Sequence, residues 1–167
     1  TVKEFKIPKI TVGGGNILVH YYMVNGNGQP INESGVAVEN PSLAKQVKKE
    51  EYLSVNGSTG LSYNTPYTVG KEEIADYTYY GSYILNDGEL TEGDSANVTL
   101  TAANSNQHVW FAYTQGFNVV HVQNGVEMGT DTYTIGQTVE DIYKDGLFNL
   151  TAAVNDGYLY GGTFESG

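Results

Sequence analysis

Apolar and polar residues alternate along much of this chain, which is the pattern of half-buried β-strands. The clearest case is residues 77–83 (YTYYGSY), where aromatic rings occupy every second position. Rings at alternate positions of a strand lie on one face, and Gly81 inside the run indicates a bulge or a close approach of another backbone. Residues 108–114 are apolar on both faces, which is typical of a central strand. The pattern therefore predicts a mainly β fold.

The strand of aromatic residues has a second copy near the C-terminus, in residues 158–164. Three sequence landmarks recur in the same order: Val19-His20 and Val120-His121, then Tyr67-Thr-Val-Gly70 and Tyr133-Thr-Ile-Gly136, then Tyr77-Thr-Tyr79 and Tyr158-Leu-Tyr160. Ordered recurrence of this kind indicates an internal duplication. We therefore predict two tandem small β-sheet modules, each β-grasp-like or an immunoglobulin-like sandwich, joined near Gln115-Gly116.

The duplication divides the chain into an N-terminal arm with a glycine linker (residues 1–15), a first β module (16–115) and a smaller second module (116–167). The three glycines at 13–15 predict a flexible joint. The second module has no counterpart of the closing strand 108–114, so its sheet is expected to keep an unpaired edge. Residues 2–12 are strand-like, and we expect this arm to pair with a neighbouring molecule or a capping partner. Docking to its own second module and simple disorder are the alternatives.

Local signals add turns and one helix to this plan. The Asn-Gly pairs at 25–26 and 124–125 favour tight turns. Leu43 and Val47 follow at helical spacing after Ser42, which is placed as an N-cap. The first module is therefore expected to contain one short helix over residues 42–52.

The net charge of the chain limits the classes of partner that it is expected to bind. The formal net charge is −11, from 19 acidic residues against 8 lysines and no arginine. Binding to the phosphates of nucleic acid requires basic groups, so neither nucleic acid nor an anionic membrane is an expected partner. The chain has no cysteine for a disulfide or thiolate site and no apolar run long enough for membrane insertion.

None of the polar motifs favours a catalytic, metal-binding or nucleotide-binding site. His20, His108 and His121 would form a metal site only if two or three converged with carboxylates, and His20 and His121 are explained by the repeat. Residues 86–94 are acidic but lack the spacing of a calcium loop, so a hairpin connection is favoured. Nucleophile-elbow and nucleotide-binding motifs are missing. We expect no catalytic, cofactor-binding or metal-binding residues and no enzyme activity.

The aromatic residues are the candidates for interaction. The candidate interaction surface comprises Tyr77, Tyr79, Tyr83, Trp110, Tyr158 and Tyr160. Exposed rings can stack on sugars, but the same rings also form cross-strand pairs in a thin core, and the core role is favoured for most of them. Trp110 is expected at the contact between the two modules, because its strand is apolar on both faces and ends near the joint.

Residues 17–114 resemble a MucBP-type (mucin-binding-like) repeat of Gram-positive surface proteins. The resemblance rests on the strand and turn of residues 19–28, the Tyr67-Thr-Val69 element, the Asp76-Tyr-Thr-Tyr79 strand and the closing strand 109–113. Asp76 stands where the family favours glycine, and the insertion at 31–60 is long. The second module resembles, more loosely, the β-grasp-like modules that accompany such repeats.

The resemblance implies a non-enzymatic structural or adhesive module of an extracellular, cell-surface protein that binds a glycan or protein partner. The alternative is a phage virion decoration or fibre protein built from the same kind of β modules. The motifs identify no ligand.

Overall fold

The computed structural model describes residues 14–134, which form ten strands and one turn of 3-10 helix. The strands are β1 Gly14–Met23, β2 Gln46–Tyr52, β3 Leu61–Ser62, β4 Pro66–Gly70, β5 Thr78–Leu85, β6 Leu90–Glu92, β7 Ser95–Thr99, β8 Asn106–Thr114, β9 Gly116–Gln123 and β10 Val126–Thr134, and the helical turn is Pro41–Leu43. The prediction of a mainly β fold is confirmed.

The largest sheet has the strand order β2-β1-β8-β5-β6, and β3 pairs with the start of β1. Strand β8 lies at its centre, as its apolar character on both faces predicted. β1 and β8 run parallel, with Asn16 opposite Asn106 at one end and Met23 opposite Tyr113 at the other. The other strand pairs of this sheet are antiparallel.

A second, two-stranded sheet of β4 and β7 covers one face of the large sheet, which we call the inner face. Val69 and Val98 of the small sheet share a buried cluster with Val109, Phe111 and Tyr113 of the large one. Alternate residues of each strand point to opposite faces, so the same β1 and β8 strands also present an outer face. The outer face carries a smaller cluster around Tyr22, Val24 and Ala112.

The predicted bulge and turns are present. Pairing between β5 and β8 shifts register between Tyr79 and Tyr83, and Gly81 between them has a φ of +91°. At that φ a side chain would be strained, so glycine is required. Asn124 and Gly125 both have positive φ and close the β9–β10 hairpin, as the Asn-Gly signal predicted.

The predicted helix over residues 42–52 is wrong. Only Pro41–Leu43 is helical, and Gln46–Tyr52 is strand β2 at the sheet edge. The Leu43–Val47 spacing is misleading, because Leu43 is 61% exposed while Val47 packs against the inner core. Residues 46–52 instead form backbone hydrogen bonds with β1, which gives this charged segment a stable partner that its own sequence does not show.

The predicted glycine linker is also wrong for its last two residues. Gly14 and Gly15 begin β1 and lie opposite Ser62 and Leu61 of β3. A Cβ atom on Gly15 would lie 1.8 Å from the carbonyl oxygen of Ser105, so only glycine allows this approach of the backbones. These glycines mark close packing within the sheet.

The start of the predicted second module is described only as far as Thr134. β9 and β10 pair with each other in a two-stranded sheet, and Gln115 separates β9 from β8. The arm over residues 1–13 and the second copy of the aromatic strand lie outside the described residues. The duplication, the module boundary and the unpaired edge stay predictions. Within residues 14–134, no helix has the length and apolar character needed to cross a membrane.

Candidate ligand cleft on the outer sheet face

The candidate site lies on the outer face, where β1 and β8 run side by side. His20 is directly opposite Trp110 in the parallel register, and Tyr22 is opposite Ala112. Tyr21 and Phe111, one position along each strand, belong to the inner core instead. The alternation of β-strands thus selects the aromatic residues that are available on the outer face.

A cleft of about 360 Å³ lies over these residues. It is lined by His20, Tyr21, Tyr22, Pro41, Ser42, Ala44, Gln46, Glu50 and Trp110. The segment over residues 41–45 is held in place by its backbone. The Met23 amide donates to the Lys45 carbonyl at 2.9 Å, and the Lys45 amide donates to the Ile31 carbonyl at 2.8 Å. The strand pairing of β1 with β2 brings Gln46 and Glu50 to the same site.

Three aromatic residues form a fixed group in the cleft. The rings of His20 and Trp110 stack with their centroids 3.6 Å apart and an interplanar angle of 6°. Tyr22 meets Trp110 edge-on, at 6.3 Å and 83°. The Nε2 of His20 lies 2.8 Å from the Nδ1 of His108, which is a hydrogen bond whose donor is set by the tautomers. These contacts orient the His20 ring from two sides.

The electrostatics of the cleft follow from burial. Burial, together with the neighbouring His108, lowers the pKa of His20 to about 4, and Glu50 opposes that shift only in part. His20 is therefore neutral at pH 7. The Glu50 carboxylate has a lowered pKa, chiefly through a backbone hydrogen bond and the Gln46 amide. Glu50 is the only charged side chain among the described residues that line the cleft.

The hydroxyl oxygen of Tyr22 is buried without a hydrogen bond to any described residue. Its side chain is 1% exposed, and its hydroxyl has no hydrogen-bond partner within the described part of the chain. Burial also raises its pKa. A buried hydroxyl without a partner costs free energy, because it has lost its bonds to water. The hydroxyl is shielded from solvent, so its unused donor and acceptor lie inside the outer-face cluster and are not presented to the cleft.

The structure separates the predicted interaction residues. Tyr77, Tyr79 and Tyr83 all pack, half-buried, against the inner core, in agreement with the core role favoured for most of the rings. Trp110 lies on the opposite face of the sheet. The other two predicted residues, Tyr158 and Tyr160, lie outside the described part. The described members of the predicted surface therefore lie on two opposite faces of the sheet, and their role in binding stays a prediction.

Trp110 makes its contacts within the first module, with His20 and Tyr22. Its predicted role at the contact between modules stays a prediction. Residues 86–89 connect β5 to β6 as a hairpin, as expected in place of a calcium loop. His20 and His108 do converge, but no group of three or more His, Asp or Glu side chains within residues 14–134 is arranged to hold a metal ion.

Sequence reasoning missed most of the cleft. It singled out Trp110 but not Tyr22, Gln46 or Glu50, and it treated His20 only as a landmark of the repeat. The available signal was His20 itself, which lies on the same strand face as Tyr22 in an otherwise apolar strand. Its proximity to Trp110 depends on a pairing between strands about ninety residues apart, which no local pattern indicates.

No protein-family model and no curated protein matches this chain. Among solved structures, the chain is similar to the three N-terminal domains of the type V pili tip protein Mfa5 from Porphyromonas gingivalis, at 19% sequence identity and a TM-score of 0.44. The match covers 60% of this chain and 20% of that chain. At this score the likeness carries no argument about function. The resemblance to MucBP repeats and the virion alternative stay predictions.

Proposed function

We propose that this chain is a non-enzymatic adhesive or structural module of an extracellular surface protein, and that it binds a glycan or protein partner at the outer-face cleft. One observation carries the proposal: the cleft combines the rings of His20, Tyr22 and Trp110 with hydrogen-bonding groups at its edge. Ligand sites characteristically pair apolar aromatic walls with a few placed polar groups.

The remaining features of the chain support recognition rather than chemistry. His20 is held between Trp110 and His108, and its lowered pKa leaves it a weak base at neutral pH. A general base needs a pKa near the working pH and a reacting group within reach. The net charge of −11 also favours partners that are neutral or basic over nucleic acid.

Binding of the full chain to an immobilised glycan panel and an immobilised panel of extracellular-matrix proteins tests the proposal. We expect at least one ligand whose binding is lost in Trp110→Ala. The matched control is Tyr52→Ala, because Tyr52 is an aromatic residue of β2 that is 54% exposed and does not line the cleft. Equal loss in both variants, or no binding to either panel, would contradict the proposal.

A further inference from the structure

We infer that the outer-face cleft binds one uncharged saccharide unit and discriminates against acidic saccharides. This inference rests on the proposed function and specifies its ligand. Three features of the described residues support it: the size of the cleft, the kinds of polar group that line it, and the sign of its charge.

The volume of the cleft matches a single sugar ring. The cleft encloses about 360 Å³, which is near the lower end of the range of about 300–1,000 Å³ found for small-molecule sites. A protein partner would instead cover an area of about 800 Å² on each side, well beyond the cleft. A small cyclic ligand therefore uses this concavity more fully than a protein surface does.

The polar side chains that line the cleft can form hydrogen bonds with the hydroxyl groups of a sugar. Glu50 can only accept hydrogen bonds, whereas the Gln46 amide can donate and accept. A sugar hydroxyl both donates and accepts, so one kind of ligand group can bond to both side chains. A purely apolar ligand would remove water from the Glu50 carboxylate and the Gln46 amide and leave them only the bond they make to each other. The half-buried ring of Trp110 supplies the apolar wall that a pyranose face requires.

The negative charge of Glu50 disfavours the binding of acidic sugars in the cleft. Glu50 carries the only formal charge among the described lining residues, and neutral His20 offers no counter-charge. A sulfate or carboxylate on the ligand would therefore meet a carboxylate of the same sign in a chain whose net charge is −11. Unpaired like charges are an effective means of rejecting a wrong ligand.

Titration calorimetry of the full chain at pH 7 tests the inference with matched soluble probes: N-acetyllactosamine, its 6-sulfated form and its 3′-sialylated form. We expect the neutral probe to bind about tenfold more tightly than either acidic probe. Glu50 is half-buried on the edge strand β2, so Glu50→Gln is expected to fold normally, and it should reduce that preference to about threefold or less.

The outcomes separate the two proposals. Equal binding of neutral and acidic probes, or an unchanged preference in Glu50→Gln, overturns the inference. If no saccharide binds while a matrix protein binds in a manner that depends on Trp110, the proposed function stands and the inference fails. If neither kind of ligand binds, both fail. Tyr52→Ala should behave as the unmodified chain in every titration, which controls for the loss of an exposed ring.

Discussion

The inner and outer faces of the six-stranded sheet are built from alternate residues of the same strands, but they differ in how their hydroxyl groups are satisfied. On the inner face Tyr113 donates to the Glu72 carbonyl at 2.7 Å, and Tyr79 donates to the Gly93 carbonyl at 2.6 Å. On the outer face the hydroxyl of Tyr22 has no partner in the described part of the chain.

The difference follows from what covers each face. The small β4–β7 sheet closes the inner face, and the loop that contains Glu72 brings backbone groups to the tyrosine hydroxyls. The outer cleft is bordered by the short segment 41–44 and by β2, which leave Trp110 half-buried. A pattern of apolar residues on both faces of a strand therefore does not by itself identify two closed cores. The exposure of the rings distinguishes the two faces, because Phe111 on the inner face is fully buried and Trp110 on the outer face is half-buried.

The largest expected difference between the faces is in packing energy. Phe111→Ala should lower the free energy of unfolding by about 3–5 kcal/mol, because the ring is fully buried and leaves a cavity. Trp110→Ala should cost about 1–2 kcal/mol, since its larger ring is only half-buried. Urea denaturation of the full chain measures both values. Equal costs would mean that the outer face is as closed as the inner one.

Removing the tyrosine hydroxyl should change the free energy of unfolding differently at Tyr113 and at Tyr22. Tyr113→Phe should destabilise the protein by about 1–2 kcal/mol, because it leaves the amide and carbonyl of Glu72 without their partner. Tyr22→Phe should be neutral or stabilising by up to about 1 kcal/mol, because it removes a buried hydroxyl that has no partner. The two variants have the same chemistry, so each is the control for the other in urea denaturation. A loss of stability in Tyr22→Phe would indicate a hidden hydrogen bond.

A third expected difference is a dependence of stability on pH that originates on the outer face. His20 has a pKa of about 4 in the folded chain against an ordinary value of 6.5, so the unfolded chain binds this proton first as the pH falls. Stability should therefore decrease between pH 6.5 and about 4. His108 and Glu50 are the titratable groups that face His20.

The measurement is the urea midpoint at intervals across this range, in the unmodified chain and in His20→Gln. The variant should have a flatter profile, because glutamine does not titrate. Glu51 provides an internal reference from the inner face, since hydrogen bonds from Lys48 and from Tyr21 hold its pKa near 2 and place its effect at lower pH. An identical slope in the two proteins would assign the pH dependence to other groups.

The sequence predicted the parts of the fold that depend on short patterns. The central position of β8 followed from residues that are apolar on both faces, and the bulge in β5 followed from one glycine among aromatic residues. The closing of the β9–β10 hairpin followed from Asn124-Gly125. Each of these features is encoded within about ten residues, which is the range over which periodicity and turn chemistry act.

The errors concern features whose cause lies elsewhere in the chain. Residues 46–52 are a strand because β1 offers backbone partners to them, and Gly14 and Gly15 are strand residues because other backbones approach them closely. The cleft was missed for the same reason. Its residues come from β1, β2, β8 and the 41–44 segment, and only the assembled sheet brings His20 beside Trp110.

The parallel pairing of β1 and β8 has a mechanical consequence. The chain enters β1 at Gly14 and leaves β8 at Thr114, and because the strands are parallel these two points lie at opposite ends of one ladder. A force that pulls the two points apart slides the strands past each other, so the bonds from Asn16 to Met23 resist together instead of opening one by one. We expect a high unfolding force in single-molecule pulling through residues 14 and 114, and a much lower one through residues 14 and 52, where antiparallel β1 and β2 can unzip. Similar forces in the two geometries would contradict this, whereas the expected difference would mean that the fold resists shear along the β1–β8 direction.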